Sequence, residues 1–303
     1  MSLLNPRVDL AFKKIFGSPE NKDLLISFIN SVVSKEDQVV DIELLNPYNP
    51  KKFLGAKMSI LDIKAKDTCG NYYNIEVQIS NEGDYDKRSL YYWAKLYADQ
   101  LGDGDRYKHL RKAIAIHVLN FISVANAPKY VNKFVITNEE TTLSHFEDLE
   151  IYTIELCKFS TQADENIKEL LPRIKNGLDR WAAFLTKASH LDRNNLPKEL
   201  DDPCIKKAID VLTHTSLNKE EREQYEGHLK WMRIEESTLE RAKEESKAEG
   251  LEEGLAKGLE EGLARGLKRE LQAKKEIASH LLSQGMQMEA VCKITGLSRE
   301  ELL

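Results

Sequence analysis

The segment from Ile60 to Ile79 constrains the fold more than any other. Ile60-Leu-Asp-Ile-Lys-Ala-Lys66 and Tyr73-Asn-Ile-Glu-Val-Gln-Ile79 both alternate, and Asp67-Thr-Cys-Gly-Asn71 between them is rich in turn formers. Successive side chains of a strand point to opposite faces. Leu61, Ile63 and Ala65 therefore share one face, and Asp62, Lys64 and Lys66 the other. Tyr73, Ile75, Val77 and Ile79 are likewise set against Asn74, Glu76 and Gln78. The two runs predict an antiparallel hairpin. A turn centred on Cys69 puts Asp62 opposite Glu76, on one face with Cβ atoms ~5 Å apart. Two carboxylates that close repel each other. Their face has two readings: an ordinary solvated surface, or the seat of a hard divalent ion taking oxygen ligands, Mg²⁺ first. Lys64 and Gln78, each one pleat step away, complete the polar patch.

The flanking sequence supplies helices. Asp9 to Gly17 reads as a short helix, with Asp9 at the N-cap and Gly17 as a left-handed residue after its last turn. Asn21 to Val33 is amphipathic, with Leu24, Leu25, Phe28, Ile29 and Val32 on one side. Val39–Leu45, Ala113–Val124, Phe134–Thr137 and Ile151–Leu156 read as strands. Asp84–Leu101 reads as a helix rich in Arg, Lys and Tyr. From about residue 166 the pattern is helical, over 166–189, 203–214 and 219–248. The sequence then repeats Gly-Leu-Glu-Glu-Gly-Leu-Ala, first with Lys257 and then with Arg265 at its end. A pair of short helices, Glu276–Gln284 and Glu289–Leu303, closes the chain.

Several segments together resemble the Rpn family of recombination-promoting nucleases, within the PD-(D/E)xK family transposases. They are Asp9-x-x-Phe12-Lys13-x-x-Phe16-Gly17, Leu61-Asp-Ile-Lys-Ala-Lys-Asp67, Asn74-Ile-Glu-Val-Gln78, Arg88-x-x-Tyr91-Tyr92, Gln100-Leu101 and Tyr107, with the Gly-Leu tail. The resemblance is specific in combination and densest over residues 5–125. It implies an α/β fold with a restriction-endonuclease-like core over 1–160, a mixed sheet flanked by helices. A helical region over 161–245 and an oligomerising or regulatory tail over 246–303 follow. It also implies Mg²⁺-dependent DNA endonuclease activity, with Mn²⁺ as a substitute, linked to recombination, mobile elements or phage defence. Asp62, Glu76 and the Val77 carbonyl would hold the metal. A catalytically degenerate fold serving DNA binding or protein interaction is the alternative.

One departure from the general nuclease signature bears on mechanism. The final Lys of the motif is Gln78 here, which orients water but brings no charge; Lys64 is a candidate to supply it. Asp9 is either a third acidic residue of the site or simply the N-cap. Arg88, Tyr92 and Lys95 recur on one side of the 84–101 helix. They are candidates to position DNA phosphates, which fixes register without reading bases. Phe12 and Phe16 are expected in the core.

The net charge of −6 by itself argues against DNA. It is unevenly spread, however: residues 1–136 carry 19 Lys and Arg against 16 Asp and Glu, so the acidity belongs to the C-terminal half. The seven histidines show no HxH or HExxH spacing. The four cysteines are far apart and form no CxxC, which fits a cytoplasmic address. No apolar run is long enough to span a bilayer. Charged residues between the tail glycines exclude a membrane GxxxG helix and leave a soluble helix that packs on a second copy of the chain, or a frayed linker. A repeat of four drifts against the 3.6-residue turn and favours a right-handed wrap. The terminal pair looks like a helix-turn-helix fragment, but its acidic surroundings favour self-association. The family resemblance further implies a short C-terminal form as an inhibitor, from an internal start such as Met232.

Overall fold

The chain begins with two helices, α1 (Asp9–Phe16) and α2 (Lys22–Val32), that carry Phe12, Phe16, Leu24, Leu25, Phe28 and Ile29 into the core. Their ends depart from the sequence reading. Val8 occupies the N-cap of α1, so Asp9 lies inside the first turn. Gly17 has φ −100°, not a left-handed value. Its N–H donates to the Lys13 carbonyl at 2.7 Å, and a Cβ there would sit 2.9 Å from that oxygen. The glycine answers close approach, not handedness. The computed structural model describes residues 3–46, 62–80, 83–160, 165–214 and 217–302, so Ile60 and Leu61 of the expected hairpin lie outside the described residues.

Strand β1 (Ile42–Leu44) leads to the hairpin of β2 (Ile63–Asp67) and β3 (Tyr72–Gln78). Its turn is held by Asp67, whose carboxylate accepts from the Asn71 N–H at 2.9 Å and from the Tyr73 hydroxyl at 3.0 Å. Gly70 takes φ +92° in that turn, a conformation side-chain-bearing residues rarely adopt. Helix α3 (Tyr85–Ala98) then connects to β4 (Ala113–Leu119). Strand β5 is Val131–Phe134, earlier in the chain than the expected Phe134–Thr137, and β6 is Leu149–Glu155.

The six strands form one sheet in the order β1-β2-β3-β4-β6-β5. β3, β4 and β6 run parallel; the other neighbours are antiparallel. Both faces are covered, so β4 and β6 are buried at every position, as central parallel strands are. One face meets α1, α2, α6 (Gly177–Lys187) and α7 (Pro203–His214), which share a single apolar cluster with the sheet. Phe16 packs against Phe28 and Trp181, with ring centroids 5.1 and 5.2 Å apart. The opposite face meets α3, where Trp93 packs with Ala115, Leu149 and Ile151 and donates its indole N–H to the Ala113 carbonyl. Two short helices, α4 (Leu156–Phe159) and α5 (Ile167–Leu170), connect β6 to α6.

Two compact units are present, Met1–Arg233 and Ile234–Leu303. Helix α8, Lys219–Ser283, runs through the whole Gly-Leu repeat, well past the expected end near 248. Three of every four repeat positions are good helix formers. Pairs one turn apart add support, including Glu261–Arg265 at 3.2 Å and Glu270–Lys274 at 2.7 Å. The end of α8, α9 (Met288–Thr295) and α10 (Arg299–Leu302) enclose a small core of Ala278, Val291 and Leu297. Among the described residues, no helix is long and apolar enough to cross a membrane.

Candidate active site

The hairpin register brings the acidic residues together. Ile63 pairs with Ile75 and Lys64 with Asn74. One further step places Asp62 opposite Glu76, on the face that carries Lys64, Asn74 and Gln78. The neighbouring Ile63, Ile75 and Val77 point into the apolar cluster on the other face. Asp62 is held from outside the strand: Asn46 donates to the Asp62 carbonyl at 2.9 Å and accepts from the Lys64 N–H at 2.6 Å. The Lys64 ammonium lies 3.8 Å from the Asp62 carboxylate. Gln78 is buried and donates to the Ser80 carbonyl at 3.2 Å. Val77 has its side chain in the core, which leaves only its carbonyl for any polar role.

Helix α1 adds a buried acid and a buried base. Asp9 and Lys13 are 5% and 6% exposed, one turn apart. One oxygen of the Asp9 carboxylate, Oδ1, has no hydrogen-bond partner. Burial raises the Asp9 pKa to about 7, opposed by Lys13 and assisted by the Glu76 and Asp62 carboxylates. Burial also lowers the Lys13 pKa, while Asp9 and Asp62 act in the other direction. Asp9 is therefore electrostatically part of the carboxylate group.

The residues fit a hard cation of the Mg²⁺ type. Among the described residues, no three His, Cys, Asp or Glu side chains converge as a metal cage. Mg²⁺, by contrast, usually takes one or two carboxylates and completes its shell with water and substrate phosphate. The orphaned Asp9 oxygen and the mutual repulsion of Asp9, Asp62 and Glu76 are what such an ion would relieve.

Helix α3 lies over this face. Arg88 is half-buried and close enough to His117 to act on its charge state. Tyr92 is half-buried against Tyr91, with ring centroids 5.5 Å apart, and Lys95 is exposed. Tyr85 is buried, but Tyr91 is 62% exposed.

Two residues of this region carried no functional signal in the sequence. Lys13 was only a letter of the helix motif; its i, i+4 spacing from Asp9 was the available clue. His117 on β4 pairs in register with Glu76 and is 1% exposed. It had no metal-type spacing to mark it.

A mixed sheet, helices on both faces and paired carboxylates on an antiparallel hairpin define a restriction-endonuclease-like nuclease core. The profile of the PD-(D/E)XK nuclease family transposase matches residues 6–242, and the chain belongs to that family. The Rpn/YhgA-like nuclease family C-terminal HTH domain matches residues 271–303. That match covers the α8 end, α9 and α10, where Ser298 and Glu301 cap the last helix reciprocally. No curated protein and no solved structure matches the chain.

Proposed function

We propose that the chain is a divalent-metal-dependent DNA endonuclease hydrolysing phosphodiester bonds, with its reaction centre at Asp62 and Glu76. The observation that carries this reading is the register opposing these two carboxylates, with Asp9 in electrostatic reach. Asp62, Glu76 and the Val77 carbonyl would hold Mg²⁺ or Mn²⁺. When bound, the ion polarises the phosphate, activates water and stabilises the leaving oxygen. Gln78 orients the attacking water, and Lys64 faces the charge developing on the phosphate. Arg88 and Lys95 hold flanking phosphates, and Tyr92 packs beside them. The C-terminal helix-turn-helix adds a second contact to DNA. The repeat in α8 serves self-association, and a short C-terminal form of the chain restrains the nuclease. The setting is recombination, mobile elements or phage defence.

A degenerate core that binds DNA without cutting is the second reading. The observations that favour it are Gln78 in place of the motif Lys and the helix-turn-helix match. Plasmid incubated with Mg²⁺ or Mn²⁺, with and without EDTA, separates the two. The nuclease reading expects metal-dependent cutting that Asp62→Ala abolishes without unfolding. Binding without cutting supports the second reading, and a fully active Asp62→Ala variant would falsify the assignment.

A further inference from the structure

The carboxylate pair is the outer end of a longer polar row. Register continues it from Asp62 and Glu76 to His117 on β4 and Thr153 on β6. All four side chains emerge on the face covered by α3. Asn74 projects from the same face, one pleat step before Glu76. The inner members are deeply buried: Asn74 is 2%, His117 1% and Thr153 3% exposed. Asn74 Oδ1, both ring nitrogens of His117 and Thr153 Oγ1 all lack a hydrogen-bond partner.

Four such atoms in one place is not ordinary core chemistry. A buried polar group left unpaired costs ~1–3 kcal/mol. Leu or Val at these positions would have joined the apolar packing of Trp93, Leu149 and Ile151. The polar side chains belong to three adjacent strands, about 4.8 Å apart from strand to strand, and share one face. An internal water needs two to four polar partners, and this cluster offers that number. Ala115, beside Asn74 on β4, is small, and Trp93 packs over its side of the row. The His117 ring stands nearly perpendicular to that of Tyr85, with centroids 5.6 Å apart.

We propose that His117 is a positioning residue for Glu76, acting through an internal hydrogen-bonded water shared with Thr153 and Asn74. A neutral imidazole carries one donor and one acceptor, so it can take from Thr153 and give towards Glu76. Burial and the nearby Arg88 guanidinium lower its pKa to about 4, which keeps it neutral. The network holds the Glu76 carboxylate towards Asp62 from behind. Residues that orient ligating carboxylates in this manner typically change activity 10–100-fold, on the order seen for outer-shell partners. This inference rests on the nuclease reading for its kinetic consequence, though not for the coupling itself.

Two measurements test it. The first is the ¹⁵N shifts of the His117 ring in the wild-type chain and in Glu76→Gln, at one fixed pH without metal. A change in tautomer or ring shift supports the coupling; unchanged shifts overturn it. The second is metal-dependent plasmid cleavage by His117→Phe, His117→Gln and Thr153→Val. We expect kcat to fall about 10–100-fold in His117→Phe with little change in KM, partial rescue by His117→Gln, and a smaller loss in Thr153→Val. The melting temperature should fall only modestly, because the Phe ring fills the imidazole's space while Thr153 and Asn74 each keep the remaining contacts of the network. Wild-type kcat in a folded His117→Phe overturns the positioning role. If the wild-type chain cuts nothing, the nuclease reading falls by itself, and the ¹⁵N shifts still decide the coupling.

Discussion

Asp9 and Lys13 stand one turn apart on α1, both almost wholly out of water, beside the Asp62–Glu76 pair. The arrangement makes stability depend on pH in a defined direction. An aspartate near 3.8 unfolded and about 7 folded binds more protons in the folded state across that interval. Metal-free stability therefore falls as pH rises from about 4 to 7, by up to roughly 4 kcal/mol at 1.36 kcal/mol per unit. Asp9→Asn should remove this slope and stabilise the metal-free protein above pH 7. Urea unfolding in EDTA on either side of the interval reads it; equal slopes in both proteins would refute the assignment.

Lys13 and Lys64 should separate clearly. Lys13→Met removes a buried counter-charge from Asp9 and Asp62. The expected loss is about 2–3 kcal/mol, below the usual 3–5 because Asp9 can take up a proton. Lys64 makes a longer, partly exposed pair with Asp62, so Lys64→Ala should cost less than ~1 kcal/mol. Its effect is expected in cleavage instead. An undiminished rate in Lys64→Ala, with Gln78→Ala impaired, would remove Lys64 from the reaction.

The repeat in α8 invites a test with two opposed readouts. A Cβ at Gly254 or Gly258 would meet nothing within 4 Å. Gly→Ala there should raise helix content, by roughly 1 kcal/mol each. If the glycines allow close approach of a second copy, the same changes should weaken association in sedimentation. Stronger helix with unaltered association would assign the glycines no such role.

The helix-turn-helix makes a further prediction. Deleting residues 246–303 should weaken DNA binding and flatten its salt dependence, since fewer phosphate contacts release fewer counterions. Filter binding across a salt series measures both. Unchanged affinity and slope would leave the C-terminal unit to self-association alone.

The hairpin was legible because alternation with period two fixes register once the turn is placed; a slip of one residue would have buried Asp62 and exposed Ile63. The helix boundaries were less so. Asp9 as a cap and Gly17 as a left-handed residue are local expectations, and both yielded to packing: Asp9 turns inward, and Gly17 is squeezed against the Lys13 carbonyl. The glycines of α8 left its repeat open between a helix and a frayed linker; the structure shows the helix, continuous with the segment expected to end near 248, its glycine cost spread among strong helix formers and ion pairs. His117 and Lys13 were obscure for another reason. The meaning of His117 comes from neighbours on other elements, and no spacing within its own segment announces it; Lys13 offered only its i, i+4 distance from Asp9.

The main apolar cluster runs from Ala11 to Leu212 and includes Trp181, Ile205 and Ile209 beside Phe12 and Phe16. Every proposed catalytic side chain is encoded before residue 80, yet the helices that complete the core arrive more than a hundred residues later. During synthesis, the ribosome releases the reactive residues long before the scaffold that holds them can close. Chains interrupted before α6 would carry the proposed chemical inventory with no means of assembling it. A cell making this protein meets the closed core only once α7 has been translated.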